Sequence, residues 1–122
     1  VSRIAPQDPW EIEMKTIEVL FSIFKSESTF HTAFAEIMGF PGSYGHNWDA
    51  WIDCMSYLDD FATGMTQVSL KENEQLELKI FGYEFAEELD KSDVFRHFCI
   101  CSGFVNSRFA ERQSETRLII SN

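Results

Sequence analysis

A chain of 122 residues with 44% hydrophobic residues, twelve Phe and three Trp among them, is long and apolar enough to fold as one packed domain, which argues against global disorder. Its formal charge of -10 argues against nucleic acid or an anionic membrane surface as a direct ligand, because phosphate is bound by Lys and Arg that displace condensed counterions. The same charge suits a basic partner, although net negative charge also serves solubility alone.

Residues 1–16, with Pro6 and Pro9, read as an irregular N-terminal arm preceding a domain over 17–122. The run IEVLFSIF, Ile17 to Phe24, is rich in β-branched and aromatic residues and predicts a buried strand, central or parallel in its sheet. In STFHTAFAEIMGF, Phe30, Phe34 and Ile37 recur at helical spacing, with Ser28 as the expected N-cap and Gly39 as the stop. The turn FPGSYG follows, and Asn47 caps a second helix expected to reach about Asp59.

Phe61 to Glu74 carries mixed signals and reads as a loop or a short helical excursion. LELKIFGY, Leu76 to Tyr83, alternates apolar and charged residues at its start and predicts a second strand. Ser92 to Glu111 has Phe95, Phe98, Cys99 and Val105 at helical intervals behind a Ser92 or Asp93 cap. Leu118, Ile119 and Ile120 close the chain as a short strand. Strands alternating with helices imply crossovers, hence an α/β fold: a small three-stranded parallel sheet covered by three to four helices.

The second helix has two faces. Trp48, Trp51, Ile52, Met55 and Leu58 form the core-facing stripe, and His46, Asp49, Asp53, Ser56, Tyr57 and Asp60 the opposite one. Asp49 and Asp53 face the same way with no Lys or Arg between them. Like charges at that spacing cost an isolated helix about 0.2–0.5 kcal/mol, which makes sense if a cationic partner neutralises them. An ordinary solvated face remains an open reading of the same pattern.

Catalytic readings have less support. His46, Asp49 and Asp53 share a face and could offer a nitrogen and two oxygens to a divalent metal, as in a small metal-assisted hydrolase, but no fourth ligand can be named. Cys54 would need a histidine beside it to serve as a nucleophile. His31 and His97 read as packing or surface residues. Cys54, Cys99 and Cys101 lack a C-x-x-C pair and read as reduced core thiols. No apolar run approaches a membrane span, and VSRIAPQDPW lacks the apolar segment of a signal peptide, so cytoplasmic residence is the expectation.

The segment FHTAFAEIMGFPGSYGHNWDAWIDC, Phe30 to Cys54, resembles the signature of the barstar family, small acidic intracellular inhibitors of secreted ribonucleases such as barnase. Pro41, Tyr44, Gly45, Asn47, Trp48, Asp49, Ala50, Asp53 and Cys54 match that pattern in order. The layout from Ile17 onward is similar too, apart from a longer segment over 60–75.

The resemblance implies a non-catalytic protein, without metal or cofactor and monomeric when free, that plugs the active site of a basic nuclease, a ribonuclease before others. Asp53 would be the central anchor and Asp49 a second charge, with Tyr44, Gly45 and Asn47 shaping the loop. Ser43, His46, Trp48, Ile52 and Ser56 complete the candidate surface. Ser43 stands where the family's best-known member has a stacking aromatic, and His46 replaces an acidic residue. These departures leave room for a different basic protein or toxin as the target. Counting back from the last strand reaches Arg108, with Glu111 a turn further, so no acidic contact is assigned to the last helix.

Overall fold

Strand β1 spans Glu13–Leu20 and owes its conformation to alternation, with Met14, Thr16, Glu18 and Leu20 exposed between the half-buried Lys15 and Ile17 and the buried Val19. In the computed structural model, which describes residues 13–71, 74–82, 89 and 91–121, it starts four residues before the expected position. It also ends earlier, because Phe21–Lys25 turn into a 3-10 helix that drops Ile23 and Phe24 into the core. The apolar run expected to be one strand is therefore half strand and half 3-10 turn. Residues 1–12 and Tyr83 lie outside the described residues.

Strand β2, Glu74–Phe81, pairs in parallel with β1 on one side and with β3, Leu118–Ser121, on the other. Among the described residues the order β1-β2-β3 makes β2 the central strand and β1 an edge, so of the two expectations for the first strand only the parallel one holds. Leu76, Leu78 and Ile80 of β2 are buried, whereas Lys79 and Phe81 are exposed. Register places Thr16 beside Glu77 and Glu77 beside Ile119 on the outer face.

That face is polar at its centre. The Thr16 hydroxyl donates to one carboxylate oxygen of Glu77 at 2.9 Å, and Ser121 donates to the other at 2.7 Å. The helices thus cover one face of the sheet among the described residues, a two-layer arrangement less common for parallel sheets than cover on both faces.

Helix α1 is Glu27–Met38, capped by Ser26 and not by Ser28: the Ser26 Oγ accepts from the Thr29 amide at 3.1 Å. It stops at Gly39, whose left-handed φ of 68° is the expected C-cap geometry. Helix α2 is Trp48–Met55, shorter than expected, followed by turns toward Asp59. Its end is tightened by the Tyr57 amide bonding the Cys54 carbonyl, while Arg112 takes the Ser56 carbonyl at 2.6 Å.

Helix α3, Asp93–Glu111, is capped by Ser92, whose Oγ accepts from the Phe95 amide. None of the described helices is long and apolar enough to cross a membrane. Phe30, Phe34, Trp51 and Phe98 meet at the centre, with ring centroids 4.9–6.0 Å apart. This aromatic cluster holds α1, α2 and α3 in one layer, so the solvent side of α2 is fixed relative to α3. The longer segment also packs down. The Gln67 and Val68 amides donate to the Met38 carbonyl and Leu70 is buried, so this stretch covers the end of α1.

Candidate functional site

The loop from Phe40 to Asn47 is folded from within. The Tyr44 amide donates to the Pro41 carbonyl at 2.9 Å, and the Tyr44 ring packs 4.7 Å from Phe40. Its hydroxyl reaches Nδ1 of the buried His31 on α1. Tyr44 is itself buried, so it supports the loop from below. Burial holds its hydroxyl pKa well above the usual tyrosine value.

Ser43, Gly45 and His46 are exposed above it. His46 adopts a left-handed φ of 52°, uncommon for a residue with a side chain. Asn47 then fastens both sides of the loop, accepting from the Ala50 amide at 2.8 Å and donating to the Gly45 carbonyl at 3.2 Å. A Cβ at Gly45 would lie only 3.0 Å from the Asn47 amide nitrogen.

Trp51, Cys54 and Met55 anchor α2 to the core. Trp48 is half-buried: its indole nitrogen donates to Glu27 at 2.6 Å, and its ring lies 4.7 Å from Phe30 and 5.8 Å from His97. Ile52 is half-buried at the edge of the same face. Asp49 and Asp53 are both exposed. Ser56 is expected beside them but is buried, its hydroxyl donating back to the Ile52 carbonyl at 2.6 Å, so its side chain is not on the exposed face.

Sequence reasoning did not find the cations facing these carboxylates. Arg108 of α3 donates to Asp53 at 2.5 Å, and Arg112 donates to Asp59 at 2.8 Å. Both pairs span more than fifty residues, so no spacing along α2 signals them. Asp49 makes no ion pair among the described residues, and its charge instead pushes up the buried Cys101 thiol, secondarily to burial itself.

A family model described as Barstar (barnase inhibitor) matches residues 14–98, from the second residue of β1 into α3. The chain belongs to the barstar family. Members of that family are inhibitors of barnase-like ribonucleases rather than enzymes. No individually curated protein matches the chain.

Among the described residues no three His, Cys, Asp or Glu side chains converge as a metal site, so His46, Asp49 and Asp53 do not form the constellation a small hydrolase would need. Cys54 is buried, and its thiol is pushed up to about 11 by burial and then by the negative charge of Asp53, which disfavours the thiolate. Cys101 is buried as well, but Cys99 is exposed on α3, which corrects the expectation of three core thiols.

Proposed function

We propose that this chain is a protein inhibitor that occludes the active site of a basic nuclease, a ribonuclease before others, with the loop over residues 43–47 and the outer face of α2. The observation that carries the reading is the exposure of Asp49 and Asp53 on a helix whose other face is locked by Trp51 and Met55. Carboxylates held this rigidly lose little entropy on binding and can stand in for substrate phosphates against the nuclease's Arg, Lys and His side chains. In this reading the chain acts as a non-catalytic monomer, in the cytoplasm where the nuclease is made.

The exposed Ser43 favours a second reading, a basic toxin other than a barnase-like ribonuclease, because a small hydroxyl cannot supply an aromatic anchor. Steady-state RNA hydrolysis by barnase, titrated with this chain, separates the two. Stoichiometric inhibition that disappears in an Asp49→Lys, Asp53→Lys double variant is the result expected of a ribonuclease inhibitor. Undiminished hydrolysis at excess chain would move the target to another basic protein.

A further inference from the structure

The two arginines of α3 that reach toward α2 are held very differently. Arg112 bonds the Ser56 carbonyl at 2.6 Å and Asp59 at 2.8 Å, and its guanidinium lies 5.6 Å from the Tyr57 ring centre and 5.5 Å from that of Phe109. Arg108, one helical turn earlier, has a single side-chain partner among the described residues, Asp53. Both members of that pair are open to solvent, with side chains 46% and 54% exposed. Solvent-screened pairs of this kind are weak and readily exchanged.

Geometry puts the exchange where it matters. Helices α2 and α3 run in the same direction, with Trp48 against His97 near their starts and Asp53 against Arg108 further along. Asp53 therefore presents a carboxylate already carrying a cation, whereas four residues earlier Asp49 presents one that carries none among the described residues. A partner that places its own cation on Asp53 must displace Arg108. The displaced guanidinium stays tethered to α3 at the rim of the same surface.

We propose that Arg108 is a specificity-determining residue of this surface, an internal cation that competes with the partner's cation for Asp53. This inference rests on the inhibitor reading of α2. Arg108 weakens every purely cationic ligand of Asp53, because once displaced it repels further positive charge nearby. A partner with a carboxylate opposite α3 escapes that penalty by pairing with the released guanidinium, so the surface selects a basic protein whose contact face also carries an acidic group.

The test uses the full chain and two probes at low ionic strength. A short oligoarginine peptide is titrated while the backbone amide resonances of α2 are followed by NMR, and barnase is titrated by calorimetry. Arg108→Gln is expected to bind the peptide about three- to tenfold more tightly than wild type, and Arg108→Glu more tightly still. In an Asp53→Asn background only the small gain from removing a nearby positive charge should remain, well below the gain in the wild-type background, an outcome that a merely structural role for Arg108 would not produce.

Equal or weaker peptide binding by Arg108→Gln overturns the competition. A gain that persists undiminished without Asp53 overturns it too, since the effect would then be general charge alone. Barnase serves to separate this inference from the reading beneath it. If no variant binds barnase while the peptide result holds, the ribonuclease target fails and Arg108 still guards Asp53.

Discussion

The Tyr44 hydroxyl lies 2.6 Å from Nδ1 of His31, tying the loop before α2 to the interior of α1. Both residues are buried, and the other ring nitrogen of His31 has no hydrogen-bond partner among the described residues. The imidazole therefore depends on one hydrogen bond. Tyr44→Phe removes it and leaves a second buried polar atom unsatisfied, at an expected cost of about 1–3 kcal/mol in urea denaturation. A Phe variant as stable as wild type would mean that the hydroxyl does not hold the loop.

Burial also sets how the protein responds to acid. The His31 pKa is lowered from 6.5 by burial, with the Glu27 carboxylate opposing and the His46 charge adding to the shift. The folded state therefore binds fewer protons than the unfolded state between the lowered value and 6.5. Stability is complete above about 6.5 and declines as pH falls from there toward the folded pKa. Unfolding free energies measured from pH 7.5 down to 5 should show this slope in wild type and not in His31→Gln; identical slopes would exclude His31 as its source. Glu77, whose pKa is lowered chiefly by its hydrogen bonds from Ser121 and Thr16, acts separately, below its ordinary 4.5.

Gly39 is expected to tolerate no side chain. Its φ of 68° is strained for alanine, and a Cβ would approach Gln67 Cβ to 2.6 Å, in the segment whose amides bond the Met38 carbonyl. Gly39→Ala should destabilise the protein by about 1–3 kcal/mol, read as a lower urea midpoint at unchanged slope. An unchanged midpoint would show that the 65–70 segment yields without cost.

What could be read from the residues was whatever local chemistry determines. The Asn47 cap, the Gly39 stop and the core stripe of Trp48, Trp51, Ile52, Met55 and Leu58 follow from short-range pattern, and the structure has the cap and the stop and buries the stripe, with Trp48 and Ile52 half-buried at its edge. The first strand was misplaced because IEVLFSIF is uniformly apolar, while the true strand EMKTIEVL starts among charges and shows its alternation only once β1 is known to be an edge. Ser56 falls beside Asp49 in a helical projection, and it keeps helical geometry with its amide on the Ile52 carbonyl, but Arg112 of α3 bonds its carbonyl and it is buried, which the sequence of α2 alone does not show. The exposed carboxylate of Asp53 is legible in the sequence but its cation is not, since Arg108 comes from 55 residues away and only α2–α3 packing brings the two together.

The contrast between the two arginines gives the last prediction. Asp53→Asn removes one end of a half-exposed pair and should change stability by no more than about 1 kcal/mol, while greatly weakening inhibition of a cognate nuclease. Arg112→Ala should do the reverse. It removes the guanidinium from the Ser56 carbonyl, from Asp59, whose side chain is only 20% exposed, and from its packing over Tyr57 and Phe109. The expected loss is about 1–3 kcal/mol, with inhibition retained at temperatures where the variant stays folded. Urea denaturation beside the barnase assay checks both variants, and a large stability loss in Asp53→Asn would make that carboxylate a structural residue and remove it from the proposed interface.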